Sequence, residues 1–444
     1  MYLKGNKWSV TRRRRRPNWF RIILLSLLVL GFATINRYVV ANIQPIGIPT
    51  PTPTRPPESY VTEAQELFKQ GKLTQSIQAY QQAIAARPDD SAVYVEMARV
   101  QVWAGEYKEA QKSAENALLL NSENSMAHAV QAWALDFQGN YLEATSAIKR
   151  ALQIDDKNGI AHAYYVEILV DSYLSSSGAF DAIATASEES KVALTLAPDS
   201  IEAHRARGYI LEATGNYEEA IREYQAAAAI NDNIALLHLS LGVNYGTMEI
   251  YDKAVEEFTR ANALNPGDPN PDLYISRTYA RIGEYAKAVQ YAETAVKDNP
   301  TDPSLRGNLG VMYYRNLLWR DAITQLALVV NGGNSPEGQP VDAVELVPGN
   351  NRLAEYYFTY GLALARLNRC GDALKIAQTL SDRVPNDETA ITNAAEIVNI
   401  CRANAQASPT PDFLATEAAA APTGTPEPTE TPAPTETPTA TATP

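Results

Sequence analysis

The sequence predicts an all-α chain of stacked helix pairs, and three observations carry that prediction. A unit of 34 residues recurs along the body of the chain. Each unit holds two apolar-periodic segments of about 12 residues whose spacing is that of a helix. A turn followed by an aromatic residue divides them, as in Gly105-Glu106-Tyr107, Gly139-Asn140-Tyr141, Gly215-Asn216-Tyr217 and Gly283-Glu284-Tyr285. Gly accepts the positive φ that ends the first helix. The 444 residues therefore read as one linear array rather than as two or three globular domains.

The elements follow in order. The first 57 residues hold ten of the 38 basic groups and none of the 51 acidic ones. Within the basic segment 1–18, Arg12 to Arg16 precede the apolar run Ile22 to Ile35. A cationic segment before an apolar one keeps the N-terminus in the cytoplasm. Residues 19–40 are accordingly expected to be a transmembrane signal anchor, giving a single-pass protein of the cell membrane with the array outside. Trp19 and Tyr38 would lie at the two interfaces, and Arg21 and Arg37 would snorkel to them. The alternative is secretion after cleavage near Ala41, because Val39-Val40-Ala41 puts small residues after a short apolar core. Residues 41–57 form a Pro/Thr linker, an extended and semi-rigid spacer.

Blocks then begin at Pro57, Ser91, Ser125, Gly159, Ile201, Ala235, Pro269, Pro303 and Ala354, and fill residues 58–387. Block position 20 is Ala in all but the first, where it is Ser76. A bulky side chain at position 24 (Tyr80, Ile148, Tyr224, Phe258, Leu326) fills the space beyond the small residue. Pro88, Pro198, Pro266, Pro300 and Pro385 end second helices, since the residue before Pro leaves helical space. Two stretches break the register: Ser172 to Gly178 lengthens a turn, and Asn331 to Asn351 reads as a polar surface insertion. Residues 388–407 read as a helix capping the last apolar face. Residues 408–444 hold nine prolines, five acids and no base, and are expected to be a disordered tail.

This pattern resembles the tetratricopeptide repeat (TPR) family. The features that carry the resemblance are Leu241-Gly242 and Leu309-Gly310 at positions 7 and 8, Tyr245, Tyr279 and Tyr313 at position 11, Ala at 20 and 27, and Pro at 32. The resemblance implies a helix-turn-helix solenoid: a right-handed superhelix of about nine repeats plus the cap, with a concave groove that takes a protein or peptide partner. It implies no cofactor and no chemistry.

In that family positions 2, 5, 9, 12 and 13 of the first helix face the groove. The resemblance thus makes Trp103, Trp133, Phe137, Tyr209, Arg277, Arg281, Tyr314, Arg315, Phe358 and Arg366 the partner-binding candidates. Aromatic and Arg side chains are the types that anchor partners. The pattern that clamps C-terminal carboxylates in some relatives is missing, because Arg205 is followed by Tyr209 where Asn is expected. In stacked repeats Cys370 and Cys401 fall along one edge, and an exported compartment permits oxidation, so a disulfide between them is expected.

Other chemistry is not encoded. All four histidines, His128, His162, His204 and His238, sit at block position 4. Zinc needs its nitrogens about 2.1 Å from one point, and residues a whole repeat apart do not converge, so these are read as packing residues and no metal is expected. No nucleophile, metal-protease or phosphate-loop motif occurs, so no catalytic residue is assigned and no enzyme is expected. A net charge of −13 argues against a nucleic-acid partner. The function expected is a membrane-tethered, extracytoplasmic scaffold for protein–protein interaction. The alternatives are a structural cell-envelope component, or an envelope-glycan binder using the Trp and Tyr side chains.

Overall fold

The computed structural model of the chain describes residues 18–38, 55–175 and 177–407. Residues 1–17, the cleavage motif Val39-Val40-Ala41, nearly all of the Pro/Thr linker and the tail 408–444 lie outside the described residues.

The first helix, α1, runs Trp19–Tyr38. Phe20, Leu25, Leu28, Val29 and Phe32 on it are each more than half exposed. Among the described residues no helix is long and apolar enough to cross a membrane. The expectation of a full span over 19–40 is corrected to that extent. Between Arg21 and Arg37 the apolar run gives about 21 Å of helix, against a hydrocarbon core of about 30 Å.

The remaining helices fall into two compact units, one ending at Asp156 and the other beginning at Lys157. The first holds three helix pairs: α2 (Pro57–Lys69) with α3 (Leu73–Ala86), α4 (Ser91–Trp103) with α5 (Tyr107–Leu120), and α6 (Ser125–Asp136) with α7 (Tyr141–Ile154). The second unit holds α8 (Gly159–Leu174) and α9 (Ala182–Leu196), α10 (Ile201–Ala213) and α11 (Tyr217–Ile230), α12 (Ala235–Thr247) and α13 (Tyr251–Leu264). It continues through α14 (Pro269–Arg281) and α15 (Tyr285–Asp298), α16 (Pro303–Arg315) and α17 (Trp319–Asn331), α18 (Asn351–Arg366) and α19 (Cys370–Arg383), and ends on α20 (Glu388–Ala407). Each pair packs on itself, and within each unit each second helix also packs on the first helix of the next pair.

Local chemistry sets the boundaries. Among the described residues, seven of the nine first helices start at side-chain caps: Asp90, Asn124, Asn158, Ser200, Asp268, Asp302 and Asn350 each accept a backbone N–H two or three residues on, while α2 and α12 follow Pro56 and Ile234 without one. Second helices other than α9 are entered through a left-handed residue instead. Gly71, Gly105, Gly139, Gly215 and Gly283 have φ between 73° and 85°. Where Gly is absent, Glu249, Leu317 and Asn368 take the same left-handed conformation.

The small residues at position 20 lie between the paired helices, where all eight alanines are fully buried. Ser76 keeps the position and adds a bond, its hydroxyl donating to the Ala64 carbonyl at 2.7 Å.

The insertion after α17 is a largely exposed surface insertion that carries order of its own. Gly333–Asn334 (β1) and Pro340–Val341 (β2) pair antiparallel. Val341 and Leu346 are buried. Val344 N–H donates to Val329 on α17 at 2.9 Å, and Tyr357 on α18 donates its hydroxyl to Val344 at 2.8 Å. The polar composition concealed these few apolar anchors. The cap α20 packs on α18 and α19, and Cys401 on it is disulfide-bonded to Cys370, with Cα atoms 5.5 Å apart.

Candidate partner-binding face

The first helices of the second unit, α8, α10, α12, α14, α16 and α18, carry most of the groove candidates, and side chains from consecutive members meet. Glu167 on α8 forms a buried ion pair with Arg205 on α10. Tyr209 on α10 donates its hydroxyl to Asp171 on α8. Burial first, and then the charge of Asp171, pushes that phenol far above its ordinary range. Glu212 on α10 accepts from Tyr224 at 3.0 Å and from Asn244 on α12 at 2.8 Å. Burial is the main cause that raises its pKa. Arg277 on α14 reaches Asn308 on α16 at 3.3 Å, and burial followed by the charge of Arg352 lowers its pKa.

Several groove candidates are therefore seam residues rather than free contacts. Trp133 is fully buried and Trp103 is nearly so. Their rings meet edge to face at 5.0 Å, Trp133 meets Phe137 at 5.9 Å, and Phe137 stacks on Tyr107 at 4.7 Å. This corrects the expectation for the first unit: the indoles pack the core and offer no stacking face to a glycan. The signal available in the sequence was their apolar neighbourhood, where Val100, Val102, Ala132 and Ala134 flank them. Tyr209 is committed to Asp171. Tyr314 and Phe358 are half-buried against the core of the second unit. Arg205 is held by Glu167, which removes it from any carboxylate clamp.

Three candidates remain outward. Arg281, Arg315 and Arg366 are exposed and close the last turns of α14, α16 and α18. Arg281 donates to the Gly246 carbonyl at 3.1 Å, and Arg315 pairs with Glu355 at 3.0 Å. Beside them Ile282, Leu317 and Leu318 are exposed, apolar contacts that periodicity did not flag because they lie in the turns. No cluster of His, Cys, Asp or Glu fit to hold a metal occurs among the described residues.

Paired helices stacked in register, with side chains bridging one pair to the next, define a helical-repeat protein. Models of the tetratricopeptide repeat match residues 67–134, 201–234 and 275–336, and the chain is a tetratricopeptide-repeat protein. Comparison with curated protein sequences gives no match. Among solved structures, a tetratricopeptide repeat protein from Parabacteroides merdae is 15% identical over 58% of this chain and 98% of its own, with a TM-score of 0.38. PilF of Pseudomonas aeruginosa is 19% identical over 55% and 92%, with a TM-score of 0.37. PilW, described as a widely conserved type IV pilus biogenesis factor, is 21% identical over 46% and 91%, with a TM-score of 0.41.

Proposed function

We propose that the chain is a non-enzymatic scaffold that binds a protein or peptide on the first-helix face of its second unit, at the α14–α18 end. The observation that carries this reading is the exposed set Arg281, Arg315 and Arg366 beside Ile282, Leu317 and Leu318. Arg joined to apolar surface is the composition of an interaction anchor, and its charge selects an anionic partner. The basic segment and the exposed apolar helix α1 support a further part of the proposal: α1 holds the protein at a membrane.

The test is affinity capture with the full chain from a detergent-solubilised envelope fraction. Arg281→Glu combined with Arg366→Glu is expected to reduce the captured partner about tenfold or more. Capture that is indifferent to both charge reversals overturns the assignment of this face. For the membrane part, the chain is expected to sediment with membranes and keep its first residues. A mature N-terminus at Asn42 overturns the anchor.

A further inference from the structure

We infer that the acidic tail of this same chain docks on the arginine ladder of the last three repeats. Arg281, Arg315 and Arg366 occupy one register position, the last residue of α14, α16 and α18. Those helices pack in succession, which spaces the rungs at about 10 Å. The ladder has donors to spare. Arg281 uses a backbone carbonyl, Arg315 shares Glu355 with Arg352, and Arg366 has no partner among the described residues.

A second observation points to the same surface. Leu317 is 72% exposed and has φ 63°, at a turn position where five other repeats carry Gly. A leucine held left-handed and offered to water is unfavourable twice over. The turn itself imposes that conformation, as it does on Glu249 and Asn368, but an apolar side chain left this exposed next to Arg315 marks a contact surface.

The exit point of the tail selects the occupant. The end of α20 is fastened beside Arg366: Asn404 donates to the Ala365 carbonyl at 2.9 Å, and Cys401 is bonded to Cys370. Residues 408–444 therefore leave the fold next to the first rung. They carry Asp412, Glu417, Glu427, Glu430 and Glu436 and no base. An extended Pro-rich chain rises about 3.1 Å per residue. Five residues separate Asp412 from Glu417, a reach of about 15 Å that exceeds one rung spacing, so successive acids are far enough apart to meet successive guanidiniums in charge-assisted bonds. The tail then occupies the face that an external anionic partner needs. The inference rests on that face being a peptide-binding one, but its test needs no partner.

The test is zero-length carbodiimide coupling of the full chain in detergent, carrying Arg366→Lys. The introduced amine is expected to form an intrachain amide with Asp412 or Glu417, read as a linked peptide in the monomer band. Its yield is expected to fall about fivefold at 1 M salt, where surface attraction is screened, and to vanish with Asp412→Asn plus Glu417→Gln. The neighbouring Lys375 and Asp372, 3.4 Å apart, report in the same digest that activation succeeded. If that control couples while no tail peptide does, the inference is overturned. A tail link found only in covalent dimers overturns it too, because the occupant is then a second copy. Either failure leaves the capture experiment to stand or fall by itself.

Discussion

At the scale of single residues, block position 4 shows what a recurring histidine does here. Nδ1 of His162, His204 and His238 meets Glu189, Glu223 and Glu257 on the partner helix. Nε2 of His204 and His238 meets the carbonyl six residues earlier, at 2.9 and 3.0 Å. On His204 both partners are acceptors, and an imidazole donates from both nitrogens only when protonated. Arg306, at the same position, repeats the pattern with a permanent charge, donating to the Pro300 carbonyl at 2.7 Å and to Gln325 at 2.8 Å. The ladder was legible in the sequence, but its carboxylate partners were not. They lie 19 or 27 residues away, and only the folded repeat brings them in. The pKa of His204 is raised, first by its hydrogen bond to Glu223. A raised folded-state pKa stabilises fully below the unfolded value of about 6.5, and the stabilisation is lost as pH rises through the folded value. His204→Gln is therefore expected to cost more stability at pH 5.5 than at pH 8.5, in guanidinium unfolding of variant against parent. A cost that is equal at the two pH values would contradict the ion pair. Removing one partner of the buried Glu167–Arg205 pair is harsher. Arg205→Ala is expected to cost about 3–5 kcal/mol, measured the same way, because a buried carboxylate is left behind.

At the scale of elements, the reading of small residues at fixed places was correct in kind and incomplete in partner. A Cβ on Gly242 would lie 2.5 Å from the ring of Phe258, one on Gly310 2.4 Å from Leu326, and one on Gly208 2.9 Å from Tyr224. Position 8 of one helix is thus shaped by position 24 of its mate. Both were visible in the sequence, and their juxtaposition was not. Gly246, one turn further along α12, meets nothing closer than Ala254 at 3.7 Å. The two glycines make an internal comparison. Gly242→Ala is expected to lose about 1–3 kcal/mol through overpacking. Gly246→Ala is expected to gain about 0.5–1 kcal/mol, because Gly in a helix interior carries an entropic penalty. Thermal and urea unfolding of the two variants decide it, and shifts of the same sign would refute the packing argument. The insertion after α17 was less legible for a related reason. Its order comes from Val341, Leu346 and a few backbone bonds, set in a run whose composition is that of a loop.

At the scale of the molecule, the 34-residue period made the fold legible, while the candidate face was legible only in part. Periodicity assigns a residue to a helix face. It does not say whether the next repeat consumes that residue, as Asp171 consumes Tyr209, or leaves it outward like Arg366. Energetically, a repeat array is a sum of units and of interfaces between neighbours, so an end is held only from one side. Here the disulfide offsets that weakness. It joins the start of α19 to α20 across 31 residues, and closing a loop of that length is worth about 3–4 kcal/mol. The apolar side of α20, with Ala390, Ala394 and Ile397 buried, is what covers the last pair. Reduction is therefore expected to act locally. Amide hydrogen exchange should quicken about a hundredfold or more in α20 and then in α18 and α19, as the cap opens and the last pair loses its cover. The first unit should exchange at its former rate, since each repeat depends only on its neighbours. Mass-resolved exchange with and without reductant reads both regions at once. Acceleration spread evenly over α2 to α20 would show that the bridge supports the whole array, and no acceleration in α20 would show that packing alone holds the cap.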